Sequence, residues 1–248
     1  MDRFFSFDSP VMRFLTKTAD LIILNFLTML CCLPIITAGA SLAAMHYVLL
    51  QLVRGEESYI IKTFFAQFKA NFLKATVLWL FFLALFAGIG SGFYLILKGG
   101  GSTLVLIGEG ILGLVIYMIF MWAFPLQAKF ENTFGGTLKN AYMLAFIKLH
   151  YTIAMVLVTL AVTALCVAAR RFIFLGLMLG VTLPAYLCAR MYSVVFKEYE
   201  EEEDAENDEL VDGTYGTEEV PGPEAEADTA VPEIAPEGAE TGAGADGE

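Results

Sequence analysis

Negative charge is scarce in the first 197 residues of this 248-residue chain, and positive charge is missing from the rest. All 15 Lys and Arg residues lie at or before Lys197, with only 7 of the 27 Asp and Glu residues, so this part carries a formal +8 (15 minus 7). The other 20 acidic residues give the remainder a formal −20. We therefore divide the chain into a cationic domain, residues 1–197, and an acidic tail, residues 198–248.

The sequence also lacks the short motifs of common enzymes. There is no phosphate-binding loop, no dinucleotide-binding glycine motif, no H-E-x-x-H and no G-x-S-x-G. The four cysteines lie in apolar segments without C-x-x-C spacing, which favours packing over metal or redox chemistry; they are Cys31, Cys32, Cys166 and Cys188. We expect a protein that is not an enzyme, with no catalytic residues, no cofactor, no metal and no nucleic-acid partner.

Long apolar runs fill most of the cationic domain. The chain is 57% hydrophobic, with a mean hydropathy of +0.66, and about 20 apolar helical residues cross a bilayer core. We predict an all-α, polytopic membrane bundle of five to six apolar helices with amphipathic surface helices, surrounded by the lipid bilayer of the cell (cytoplasmic) membrane. The predicted apolar segments are 20–53, 75–97, 103–127, 150–169 and 172–196.

The first apolar segment, residues 20–53, sets the topology. It is too long for one span and short for two, and Pro34, Gly39 and Ser41 interrupt it. Read as a broken hairpin, it puts twelve basic residues on one side of the membrane and three on the other. Read as one crossing, it gives nine against six. The positive-inside rule favours the hairpin, with four further spans and both the N-terminus and the tail in the cytoplasm; five spans with the N-terminus outside is the alternative.

Two amphipathic segments separate the apolar ones. Residues 58–74 carry apolar side chains at intervals of three and four, and residues 128–148 have the same character. We place the first flat on the membrane surface; the alternative is a helix packed on other helices. A weak internal repeat of surface helix plus span is possible, since Phe68-Lys69-Ala70-Asn71 resembles Leu138-Lys139-Asn140.

The acidic tail has few bulky apolar residues, so it buries too little surface to offset the entropy of ordering the chain. We predict that it is disordered from Glu198 onward. It either binds a basic partner or solvates the cytoplasmic face.

Ionisable side chains within apolar segments are candidate functional groups, because they are costly in a membrane. We hypothesise that Asp20 pairs with Arg190 to close the bundle; the alternative is that each reaches the headgroups separately. Glu109 lies six residues into its span, where it either binds a cation, a proton or a substrate hydroxyl, or is an interfacial carboxylate bonded to a neighbour.

Four uncharged residues complete the candidate set. His46 either faces a polar cavity together with Asn25 or is a structural histidine with its hydrogen bonds satisfied. Pro34 and Pro184 lie well inside apolar segments, where a helix break that frees carbonyls is typical of transporter sites.

Several blocks occur in the order found in one family. They are Phe7-Asp8-Ser9-Pro10-Val11-Met12-Arg13, Leu33-Pro34 with Gly39-Ala40-Ser41, Phe68-Lys69-Ala70-Asn71-Phe72, and Phe124-Pro125-Leu126-Gln127-Ala128-Lys129-Phe130-Glu131-Asn132 with Leu138-Lys139-Asn140-Ala141. Over residues 4–197 the chain resembles the YesL-like family of bacterial integral membrane proteins, a domain family of unknown function.

The resemblance implies an accessory role, because such proteins are often encoded beside binding-protein-dependent carbohydrate uptake systems and their regulators. It brings no established site residues. Our preferred hypothesis is a non-enzymatic protein that packs against a carbohydrate uptake permease or a membrane sensor. The alternative is a small transporter, acting alone or as an oligomer.

Overall fold

The computed structural model describes residues 10–56, 59–99, 102–130, 133–168 and 180–215. These residues contain eight α-helices, one 3-10 turn and no strand, so the predicted all-α bundle is confirmed. The helices are α1 (Pro10–Cys32), α2 (Ala38–Arg54), α3 (Ile60–Ala70), α4 (Phe72–Gly99), α5 (Thr103–Lys129), α6 (Phe134–Ile147), α7 (Leu149–Ala168) and α8 (Thr182–Tyr215).

Five helical segments of the described chain are long and apolar enough to cross a membrane. They are Phe14–Cys32, Ile35–Arg54, Phe72–Gly99, Thr103–Lys129 and Leu149–Cys166. The predicted span 172–196 begins outside the described residues, and its described part belongs to α8, which starts at Thr182.

The first apolar segment is broken around Pro34. Helix α1 ends at Cys32, a 3-10 turn covers Ile35–Thr37, and α2 begins at Ala38. Proline lacks an N–H and cannot continue the ladder of α1. The Thr37 hydroxyl lies 2.7 Å from the Cys31 carbonyl, to which it donates a hydrogen bond, while the Thr37 N–H donates to the Pro34 carbonyl at 3.0 Å, so both carbonyls near the break have a donor.

Helix α2 is the central helix of the bundle. It packs against α1, α3, α4 and α5, and its small residues Ala40, Ala43 and Ala44 are fully buried. It ends at Gly55, whose φ of 74° is the left-handed conformation that glycine adopts without strain. Small side chains along α2 let four neighbours approach its backbone closely.

Helix α4 approaches α2 closely at Gly39. A Cβ at Gly39 would overlap both the Ala75 carbonyl and the Trp79 side chain. The Trp79 indole in turn donates a 2.7 Å hydrogen bond to the Ile35 carbonyl in the 3-10 turn. Glycine at position 39 therefore allows α4 to hold the hairpin turn in place.

Helices α3 and α6 are packed on the bundle. Helix α3 contacts α2 and α1, and its Phe64 is fully buried; α6 packs against α5 in the same way, with Ala141 buried. Helix α3 is therefore packed on the bundle while Ile61 and Phe65 stay exposed, and the placement of residues 58–74 flat on the membrane surface stays a prediction. Periodicity identifies an apolar face, but it does not tell whether lipid or protein covers that face.

The two helix pairs α3–α4 and α6–α7 repeat one pattern 77 residues apart (148 minus 71). At the first junction, the backbone N–H of Asn71 donates to the Gln67 carbonyl, and the Asn71 carbonyl accepts the N–H of Ala75. At the second junction, Lys148 makes the same two backbone hydrogen bonds, with Leu144 and Thr152. Fully buried side chains recur at the same offset, the pairs being Phe64 with Ala141, Ala75 with Thr152, and Leu78 with Met155. Asn71 and Lys148 therefore occupy equivalent positions in the two helix pairs. This alignment is shifted from the sequence match, which aligns Lys69 with Lys139.

The acidic residues begin within a helix. We predicted disorder from Glu198, but α8 continues to Tyr215. Glu and Ala are good helix formers, and extending an existing helix is easier than starting one. The chain forms two compact units, Met1–Glu200 and Glu201–Glu248; the second is described as far as Tyr215, and residues 216–248 lie outside the described residues.

Candidate functional site

Two ion-pair groups lie where the ends of α2, α5 and α6 meet α8. The Glu200 carboxylate forms ion pairs with the Arg54 guanidinium (N–O distance 3.0 Å) and the Lys129 ammonium (2.8 Å). The Glu198 carboxylate forms one with the Lys148 ammonium (2.7 Å). We call these five residues the ion-pair cluster. Arg54 and Lys129 are the last residues of their helices, where a cation also interacts favourably with the helix dipole. One acidic side chain of α8 therefore joins the C-terminal ends of α2 and α5.

The environment of Glu200 favours its ionised form. Partial burial raises the pKa of this carboxyl, but the hydrogen bonds and positive charges of Lys129 and Arg54 outweigh that cost and hold the pKa below its usual value of 4.5. The three side chains are 20–29% exposed, so solvent screens their attraction only in part. The cluster therefore stabilises the fold at neutral pH.

We expect Glu200→Gln to lower the free energy of unfolding by about 1–2 kcal/mol at pH 7, because both ion pairs of the carboxylate are lost. Since the folded pKa of Glu200 is depressed, its contribution is present above pH 4.5 and is lost as the pH falls through the folded pKa. Thermal unfolding in detergent at pH 7 and under acid conditions measures both effects. Glu56→Gln, an exposed carboxylate at the same end of α2, is the control; equal losses in the two variants would contradict the role of the cluster.

A buried polar pair lies in the middle of the bundle. The Tyr192 hydroxyl of α8 and His46 Nδ1 of α2 are 3.2 Å apart, and the two rings meet edge to face at 5.9 Å. Tyr192 is 1% exposed. His46 lies eight residues before Arg54 on α2, and Tyr192 lies eight residues before Glu200 on α8. This pair is therefore about 12 Å of helix from the ion-pair cluster. His46 thus has a protein partner, as the structural interpretation of this histidine expects.

His46 also borders a cavity of about 150 Å³ between α2, α5, α7 and α8. Thr159 and Cys188 supply polar atoms 3.7 Å apart on its wall, and Pro184 lines it as well. Most of the other lining side chains are apolar, including Leu42, Met45, Phe120 and Phe124. Ligand pockets usually measure about 300 Å³ or more, so this cavity suits a few waters or a very small molecule.

Asn25 does not line this cavity with His46. Its Oδ1 accepts the backbone N–H groups of Val181 and Thr182, each at 3.2 Å, at the start of α8. The Thr182 hydroxyl donates back to the Leu21 carbonyl at 3.1 Å. Asn25 is 1% exposed. It therefore caps the first amides of α8 in the interior of the bundle, where water is not at hand to do so.

The structure does not bring Asp20 and Arg190 together. No ion pair joins them among the described residues: Asp20 is half-buried on α1 and Arg190 is exposed on α8. The neighbour of Asp20, Leu21, meets Thr182, and eight residues, about 12 Å of helix, separate Thr182 from Arg190. The closing contact between α1 and α8 is therefore neutral.

The three remaining candidates, Glu109, Pro34 and Pro184, each occupy a position that helix packing or helix geometry accounts for. Glu109 is half-buried, and its carboxylate lies against Gly92 of α4, so the small residue accommodates the acidic one. Pro34 starts the 3-10 turn between α1 and α2. Pro184 is the third residue of α8, in a first turn that tolerates proline, and does not break a helix there.

Sequence reasoning missed the residues that meet these candidates. Tyr192, Glu198 and Glu200 were not singled out, and neither was the buried 2.9 Å hydrogen bond from the Trp122 indole to the Thr152 hydroxyl. Two signals were present: acidic residues directly follow the last apolar segment, and α2 and α5 both end in a basic residue.

The helices and their buried polar contacts define the class as an all-helical membrane bundle. Within that class, residues 21–90 match the model of the family described as "Protein of unknown function, DUF624". YesL-like proteins belong to that family, so the resemblance is confirmed for this stretch, which covers most of α1, all of α2 and α3, and part of α4. No curated protein and no solved structure matches the chain.

Proposed function

We propose that this protein is a non-enzymatic membrane protein that assists carbohydrate uptake or sensing by packing against another membrane complex. The observation that carries the proposal is an exposed face of small residues on α4. This small-residue face consists of Ala84, Ala87, Gly88 and Ser91, all of them exposed. In membranes, small residues let two helix backbones approach closely, and helices associate through such faces.

The small-residue face points away from the rest of the bundle. Helix α4 meets α5 through Ile89, which lies against Gly113, and Gly92, which lies against Glu109. At about 100° per residue, the small-residue face lies on the other side of α4. Apart from its chain neighbours and the adjacent backbone of α4 itself, no atom of the described chain is within 4 Å of the place where a Cβ of Gly88 would lie. The face is thus open to a helix of a partner.

Two further points support the partner and its orientation. The resemblance to YesL-like proteins links the chain to carbohydrate uptake systems, so the partner is a permease or a membrane sensor. The ion-pair cluster gathers three of the twelve basic residues of the predicted inner side at one end of the bundle. By the positive-inside rule that end faces the cytoplasm of the cell membrane, together with the N-terminus and the tail.

The transporter alternative has less support. The cavity beside His46 is about 150 Å³ and mostly apolar, which is small for a sugar and offers few hydrogen bonds. Glu109 lies eight residues, about 12 Å of helix, from Tyr117 at the cavity wall. Glu109 and the cavity beside His46 therefore do not form one site.

We expect Gly88→Leu to reduce recovery of the partner at least tenfold, because the added side chain holds the partner helix away. The measurement is affinity purification in mild detergent from the native membrane, with partners identified by mass spectrometry. Gly90→Leu is the matched control, since Gly90 also has open space around it but lies about 110° away from the centre of the small-residue face. A wild-type chain recovered alone would contradict the proposal and direct attention to transport.

A further inference from the structure

A second, larger concavity lies on the outer surface between α4, α5 and α6. This groove measures about 440 Å³, and its walls are the apolar side chains of Phe82, Leu85, Ile116 and Ile119. Phe81 of α4 also lines the groove, and α6 contributes Gly135, Leu138, Lys139 and Tyr142, the last two one turn apart. The volume falls within the range of about 300–1,000 Å³ that small-molecule sites occupy.

The walls of this groove belong to membrane-spanning segments. Ile119 lies ten residues, about 15 Å of helix, before the end of α5 at Lys129. Lys139 is exposed and has no ion-pair partner among the described residues. A lysine ammonium beside apolar walls is a partner for a ligand that joins an anionic group to an apolar chain, because hydrogen bonds between charged groups are the strong ones. The groove thus has apolar walls and one positive charge, that of Lys139, without an ion-pair partner among the described residues.

We propose that this groove binds one anionic phospholipid. An acyl chain lies along Phe82, Leu85, Ile116 and Ile119, and the headgroup phosphate accepts hydrogen bonds from the Lys139 ammonium and the Tyr142 hydroxyl. Charge complementarity favours this occupant over a helix of another protein, because an apolar helix leaves the ammonium unpaired. The groove uses none of the four residues of the small-residue face of α4, so the proposal does not depend on the proposed function.

The test is native mass spectrometry of the purified full chain in detergent, titrated with phosphatidylglycerol or with phosphatidylcholine of the same acyl chains. We expect the wild-type chain to bind phosphatidylglycerol about tenfold more tightly, because both headgroups carry a phosphate but the trimethylammonium group of phosphatidylcholine offsets the negative charge that attracts Lys139. Lys139→Gln should remove this preference. Lys62→Gln, at an exposed lysine of α3 outside the groove, should keep it.

Substitutions that fill the groove distinguish binding of a lipid from binding of a free phosphate. Leu85→Trp and Ile119→Trp should each lower binding of both phospholipids at least tenfold while the thermal midpoint in detergent stays close to that of the wild-type chain. The proposal is overturned if Lys139→Gln retains the preference for phosphatidylglycerol, if the folded tryptophan variants bind as the wild type does, or if glycerol phosphate competes as well as the lipid.

Discussion

Gly39→Val lowers the free energy of unfolding by at least about 3 kcal/mol and the thermal midpoint in detergent by about 6–12 °C. A side chain at this position would overlap the Ala75 carbonyl, which is backbone and does not rotate away. Helix α4 must therefore move off α2, and the hydrogen bond from Trp79 to the Ile35 carbonyl breaks. Since the chain has two tryptophans and Trp122 is fully buried, a shift in tryptophan emission reports on Trp79.

The matched control is Gly90→Val, which adds the same side chain to α4 where nothing lies within 4 Å. It should change the free energy of unfolding by less than about 1 kcal/mol, the size of a glycine-to-valine propensity change. Similar midpoints for Gly39→Val and wild type would show that the α2–α4 contact is looser than the structure describes.

Asn25→Leu costs about 2–4 kcal/mol, because the amides of Val181 and Thr182 lose their acceptor. Leucine has the branching of asparagine but two bulkier methyl groups, so part of the cost comes from overpacking at this buried position. In the bundle interior no water replaces the lost oxygen, which makes the loss larger than for a cap at a protein surface. Thermal unfolding in detergent and hydrogen exchange of the first turn of α8 are the measurements.

Asn25→Asp is the companion variant, since it keeps an acceptor oxygen and puts any negative charge at the positive end of a helix. It should retain most of the stability that Asn25→Leu loses. If both variants are equally unstable, packing around position 25 matters and the cap does not. If neither is unstable, α8 does not depend on α1 for its start.

Local patterns predicted the helices well, because a helix depends on residues close in sequence. The length of each apolar run, the proline at position 34 and the basic residues after α2 and α5 are all visible in a single stretch of chain. The same reasoning placed residues 58–74 on the membrane surface and ended order at Glu198. In the structure, α3 packs on the bundle and α8 continues to Tyr215, because a neighbouring helix decides whether an apolar face is covered and an existing helix extends easily.

The candidate site was predicted only by residue type. His46 and Asn25 were chosen as polar groups within spans, and their partners lie 146 and 157 residues away in the sequence. No periodicity links residues at such distances. The hypothesised pair of Asp20 and Arg190 shows the difficulty, since opposite charge at a similar depth does not specify which faces of two helices meet.

The sequence by itself determined that this is an all-helical membrane protein with a cationic domain and an acidic end, because hydrophobic length and charge are sums over local residues. Only the tertiary structure decided that α4 packs against Gly39, that Asn25 of α1 caps the first turn of α8, and that Glu200 forms ion pairs with both Arg54 and Lys129. Those contacts follow from the packing of whole helices, in which small residues set the closest approach and each buried polar group must find a partner.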